Sequence, residues 1–269
     1  MLTKTSRSLT YLTAILYFIL GAWMFLMPER IAPVFAWKVT AFMTMTIGAW
    51  CLGNGFLAWL TARRWEWKLV YSALLYLWLF GAGESTVVFL FREKLNLTHP
   101  VAWLYLAALL VNGITAIVGV MDYFRIRPTR ERFGVEISKL QYGFVVAFII
   151  FVGFLSAYGL FAKVGSIGTN GGIFPEVMSA FTLRSFAVFY FAVTLAVIPY
   201  LWDKNLNSLL HHSVASYGLV VIITLAAFAY LSLFNFAERP GGLLYFGAYF
   251  SVLIPLPFVF RRFGTGMRA

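Results

Sequence analysis

Charge is what this chain has least of. Only 12% of its 269 residues are Asp, Glu, Lys or Arg, about half the share found in soluble domains. Mean hydropathy is +0.83. A soluble helical protein would need far more polar surface, so that class is excluded. Cysteine occurs once, as Cys51 in an apolar segment, which leaves no disulfide within the chain and no thiol relay. The compartment is therefore not legible from cysteine. Histidine occurs at His99, His211 and His212 only. A transmembrane haem needs two axial ligands facing each other across the bundle, whereas adjacent His211 and His212 diverge by about 100° on a helix. They read as interfacial residues at the inner mouth of the seventh span. No Gly-x-Ser-x-Gly elbow or His-Glu-x-x-His zinc motif is present. The glycine-rich stretch from Gly165 to Pro175, GSIGTNGGIFP, lacks the Lys-Ser/Thr of a phosphate-binding loop and reads as an outer loop able to cover an outward-facing pocket. No catalytic residue, metal ligand or cofactor is assigned.

Apolar length is what the chain has in quantity. Runs of about 20 apolar residues recur and divide into eight candidate spans: 8–27, 39–60, 69–91, 101–121, 142–161, 177–201, 213–234 and 241–260. Aromatic residues make up 19% of the chain, which suits helix faces packed on lipid or on one another. The first run, Leu9 to Met27, follows Lys4 and Arg7 and is long for a signal-peptide core. Pro28-Glu29-Arg30 follows it instead of small residues, so it reads as a retained helix. Pro175 is expected to open the sixth helix, with Glu176 on its N-terminal dipole. Pro255 and Pro257 should kink or unwind the inner end of the eighth.

Short connections make sequence neighbours antiparallel neighbours. The longest connection, Asp122 to Gln141, contains RIRPTRERFG and reads as a solvated loop. It divides the chain into a first four-helix unit (1–126), a basic linker (127–141) and a second four-helix unit (142–269). Sliding Phe35 onto Phe174 puts Thr40 on Ser179, Ala41 on Ala180, Phe42 on Phe181, Met45 on Arg184 and Gly48 on Ala187. Pro100 to Tyr105 matches Pro240 to Tyr245 at nearly the same offset. Four spans per half send both halves into the membrane in the same direction. The expected fold is an all-α, polytopic transmembrane bundle of eight helices, built as two parallel four-helix repeats.

Orientation follows the basic residues. Lys4, Arg7, Arg63, Arg64 and Lys68, with the basic residues of the linker, Lys204 and the C-terminal arginines, put 14 cations on one side, against 7 on the other. The first side reads as cytoplasmic, with both termini there, in a prokaryotic inner membrane. The net charge of +11 then implies contact with anionic lipid at that face rather than with nucleic acid. A membrane protein partner or a homo-oligomer is a further expectation.

Polar residues inside spans are costly and usually face the bundle interior. Asn54, Glu84, Asn112 and Arg184 form the candidate intramembrane polar site. Asn54 and Asn112 lie at similar depth and are expected to hydrogen-bond across the second and fourth helices. Glu84 and Arg184 each lie about two turns from the outer end of a span, roughly 10 Å deep, and two arrangements are open: a buried ion pair between them, or Arg184 snorkelling to the outer headgroups with Glu84 facing water. Gly48, Gly53, Gly55, Gly81, Gly83 and Ser85 permit close helix approach.

Pro28-Glu29 followed by Gly48-Ala49, and Pro175-Glu176 followed by Arg184 and Ala187, resemble the DoxX-like four-helix membrane proteins, with each half resembling one copy. The first half lacks the arginine. Some members of that group are linked to quinone-coupled oxidation of sulfur compounds, so the resemblance implies an oxidoreductase membrane subunit as one reading. The residues themselves favour a non-enzymatic scaffold, accessory subunit or binder of an apolar ligand. A small-solute transporter with its site between the halves is the alternative. A scaffold should have a filled interior, and a transporter a polar cavity near the midplane. A quinone site should have an aromatic slot open to lipid with a protonatable group at its end.

Overall fold

A computed structural model describes residues 1–129, 135–163 and 173–263, and every regular element among them is helical. Residues 130–134 of the basic connection, 164–172 of the glycine-rich loop and the C-terminal tail with Arg268 lie outside the described residues. Among the described residues, seven helices are long and apolar enough to cross a membrane, which fits an integral, multi-pass membrane protein. They are α1 (Lys4–Leu26), α2 (Ala41–Arg64), α3 (Trp67–Leu90), α4 (Pro100–Ile126), α5 (Lys139–Phe161), α6 (Ala180–Val197) and α7 (Leu206–Ala229). The turn Tyr200–Asp203 carries α6 onward to the same length. A shorter helix, α8 (Gly242–Leu253), breaks at Ile254, and Pro255 opens the last helix, Pro255–Phe263. The break falls where a proline removes the backbone donor and crowds the preceding turn.

Side-chain oxygens begin most of these helices. Thr3, Thr40, Ser138, Ser179 and Asn205 each accept a main-chain N–H in the first turn, satisfying donors that have no partner within the helix. Ser138 and Gln141 complete a reciprocal capping box on α5. These caps correct two expectations. Pro175 does not open α6: Ser179 does, and Glu176 accepts instead from the Thr40 hydroxyl. The seventh helix starts at Leu206, because the Asn205 side chain caps Ser208 N at 3.1 Å.

In the first half α1 packs on α2 and α4, and α3 packs on α4. In the second, α5 packs on α6, and α7 on α8. Across the halves, α7 packs on α2, α6 on α3, and α7 on α3. Two glycines set the closest of these cross-half approaches. A Cβ on Gly53 would lie 2.5 Å from Leu219 of α7, and one on Gly83 would lie 2.5 Å from Val188 of α6. The most buried spans, α2 and α6, occupy the centre.

Contacts at the two ends show the helices alternating in direction. At one end Arg7 Nε donates to Ala62 O (2.8 Å), Trp65 Nε1 to Leu2 O (3.2 Å) and Ser208 Oγ to Leu69 O (3.0 Å). The Asp122 carboxylate accepts from Thr3 and Ser6 there as well. At the opposite end Tyr230 donates to Glu29 (2.9 Å), Asn96 N to Ala36 O (2.7 Å) and Arg239 to Pro175 O (2.8 Å). The basic connection is less free than its composition implies. Ile137 N bonds Lys204 O at 3.0 Å and Leu206 N bonds Val135 O at 3.2 Å, stapling the start of α5 to the α6–α7 turn.

Candidate functional site

Helix α3 carries a ladder at four-residue spacing: Ser72, Tyr76, Phe80 and Glu84, all buried. Such spacing follows one ridge of a helix, so the four stack along the bundle interior. Each rung meets a different neighbour. Ser72 Oγ donates to Ala196 O of α6 at 2.6 Å and lies 3.2 Å from His212 Nδ1 of α7. Tyr76 donates to Asn54 Oδ1 of α2 at 2.7 Å. The Phe80 ring stacks on Tyr76 and meets Tyr17 of α1 edge-on. Asn112 Nδ2 of α4 donates to Tyr17 Oη at 2.9 Å.

Two expectations about the asparagines and histidines change accordingly. Asn54 and Asn112 do not bond to each other; each takes a tyrosine from an intervening helix. Their helices have α1 between them, packed on both, so equal depth does not bring the side chains together. His211 and His212 are buried between helices rather than lying at an exposed mouth, since α7 begins well before them.

At the top of the ladder Glu84 is only 3% exposed, and its Oε1 has no hydrogen-bond partner. It borders a cavity of about 20 Å³, counted over the positions a water-sized sphere can occupy, which is room for one water. Tyr17, Trp37, Trp50, Phe80 and Tyr105 supply aromatic walls. Cys51, Thr182 and Ser185 also line it, with Ile47 and Leu109. All of these side chains are buried. Ser185 Oγ and Trp50 Nε1, both on the wall, are likewise unpartnered. Four helices of the first half and α6 of the second therefore enclose one space. Over it, Trp37 stacks on Phe181 at 4.1 Å and donates from Nε1 to Thr182 Oγ1 at 3.2 Å.

Arg184 does not pair with Glu84. Its Nη1 donates to Gly159 O at 2.6 Å and to Ala162 O at 2.9 Å. These carbonyls close α5, where the helix dipole is negative and acceptors lack helical donors. Nη1 of the guanidinium is held by its own hairpin neighbour, not by Glu84. Of the four expected site residues, the fold thus brings Glu84 to a chamber and Asn54 and Asn112 to the ladder beneath it. Arg184 it sends elsewhere.

Sequence reasoning missed Tyr17, Trp50, Tyr76 and Ser185. The four-residue ladder from Ser72 to Glu84 was the available signal, since it combines polar and aromatic groups on one ridge. No family model, curated protein or solved structure matches the chain.

Proposed function

We propose that this protein is a non-enzymatic membrane component whose Glu84 chamber retains a small ligand. One observation carries the reading: Glu84 Oε1, Ser185 Oγ and Trp50 Nε1 are all buried, unpartnered and arranged around one aromatic-walled space. Buried polar groups without partners are rare in folded proteins, and each calls for a ligand, water or ion. The chamber itself holds about one water-sized body. That favours a ligand holder or scaffold over a transporter with a wide polar cavity at the midplane. The burial of every lining residue favours a retained guest over a slot open to lipid, as a quinone-linked subunit would need.

The same proposal includes two parallel four-helix repeats, with α8 and the helix after it forming the eighth span. Thr40 and Ser179, aligned in the sequence, cap α2 and α6 in the same way. The α2–α7 contact has its counterpart in the α6–α3 contact, as an axis relating the halves along the membrane normal requires. A DoxX-like ancestry for each half belongs to this proposal and rests on Pro28-Glu29 and Pro175-Glu176. So do a prokaryotic inner-membrane location, cytoplasmic termini, anionic lipid at that face and a protein partner or homo-oligomer. Cysteines introduced at Pro128 and Asn170 should label from opposite sides of the membrane; labelling from one side would refute the eight-span arrangement.

Native mass spectrometry in mild detergent tests the ligand reading. A small molecule should be retained and should be lost from Ser185→Ala and Trp50→Leu variants. Bare protein, or a mass retained equally by both variants, would count against the chamber.

A further inference from the structure

We infer that the Glu84 chamber is a site for a monovalent cation of water-like size that carries N–H donors, ammonium. The inference rests on the reading that the chamber holds a guest and names that guest's chemistry.

The argument begins with charge. A carboxylate inside a bundle in lipid is held by a countercharge or takes up a proton. Arg184, the basic residue open to pairing with Glu84, donates instead to the Gly159 and Ala162 carbonyls. No ion pair to Glu84 occurs among the described residues, and its Oε1 accepts nothing. When ionised, the carboxylate is left without a countercharge, with only the Ser185 hydroxyl beside it and a space that holds one water-sized body.

The walls then select among cations. Aromatic faces attract ammonium groups through the ring quadrupole, and five aromatic side chains line this space. A sodium or potassium ion instead needs several oxygens to replace its hydration shell. Few oxygens are free here. Thr182 Oγ1 already accepts from Trp37, and Tyr17 Oη from Asn112. Glu84, Ser185 and the Tyr105 hydroxyl remain. The Glu84 carboxylate, two hydroxyls and a ring cage suit an N–H-bearing cation, which donates to the oxygens and turns its other faces to the rings, while the Trp50 N–H gains no acceptor from it. The volume excludes a quaternary ammonium such as choline unless the wall moves.

Direct binding tests this. Ammonium labelled with nitrogen-15 is equilibrated by dialysis with the purified full-length protein in detergent, and the bound label is read by isotope-ratio mass spectrometry at constant ionic strength and pH. Saturable binding near one per chain is expected, displaced by unlabelled ammonium but not by sodium, potassium or choline. Glu84→Gln should abolish it. Trp50→Phe, which keeps a ring and drops the N–H, should retain it, while Trp50→Leu should weaken it by about tenfold. If Glu84→Gln does not fold, the Trp50 pair still decides. Absence of binding to folded protein, equal competition by potassium, or equal loss in both Trp50 variants overturns the inference. If ammonium fails while another small molecule is retained with dependence on Ser185 and Trp50, the chamber stands and only the cation assignment falls. If neither is held, both fall.

Discussion

The surroundings of Arg184 and of Glu84 differ more than their shared position inside the membrane suggests. Arg184 reaches the last carbonyls of α5 and completes two short hydrogen bonds. Glu84, fully inside the bundle, leaves an oxygen unpartnered. The backbone explains the asymmetry. A helix C-terminus offers carbonyl acceptors to any cation long enough to reach it. A carboxylate needs donors, and within a span the main-chain N–H groups are already committed to the helix ladder. A buried acid must therefore rely on side chains, a proton or a guest, so the two charges do not have equivalent solutions available.

The most severe way to break this comparison is Gly83→Val. Gly83 lets α3 approach α6, the helix that carries both Arg184 and the Ser185 wall, and an added Cβ already lies 2.5 Å from Val188. Overpacking of this kind costs about 1–3 kcal/mol. A marked fall in the detergent melting temperature is expected, and an unchanged melt would show that the approach is not tight.

Next in size is Arg184→Met. Losing charge-assisted hydrogen bonds and stranding two carbonyls should destabilise the protein by about 1–3 kcal/mol, measured by thermal unfolding. Glu84→Gln alone should be milder, because it removes an acid that has no countercharge among the described residues. Combined with Arg184→Met, the two effects should add to within about 0.5 kcal/mol. A larger coupling would mean that the charges do interact.

The smallest expected effect sharpens the account of the ladder. A double-mutant cycle on Tyr76→Phe and Asn54→Leu should give a coupling of about 0.6–1.7 kcal/mol. The corresponding cycle on Asn54→Leu and Asn112→Leu should give almost none. Reversed magnitudes would mean that the asparagines bond each other after all.

The helical runs were legible in the sequence because hydropathy and length alone identify a span. The match of Thr40 with Ser179 was also legible, and both residues prove to be helix caps. Pairings were not. Counting residues from a span's end gives the height of a side chain but not the direction it faces. Glu84 and Arg184, and likewise Asn54 and Asn112, were matched on height alone. In both cases nearer partners took the bond: the end of α5 for Arg184, and Tyr76 and Tyr17 for the asparagines. The burial of His211 and His212 was missed for another reason. Asn205 caps a helix start that hydropathy does not mark.

The bonds of Arg184 also bear on the order in which the protein is made. Its acceptors lie on the helix synthesised just before it, so a hairpin of α5 and α6 emerging from the ribosome already contains the means to neutralise the arginine. The wall around Glu84 is finished only by Thr182 and Ser185, about a hundred residues later. At ordinary translation rates of 5–20 residues per second, that is a wait of roughly 5–20 s. Until α6 arrives, α3 rests in the nascent assembly with an incomplete enclosure. In that interval the acid has only a proton or a passing helper protein to shield it from lipid, which makes the arrival of α6 the step that commits the first half to its final form.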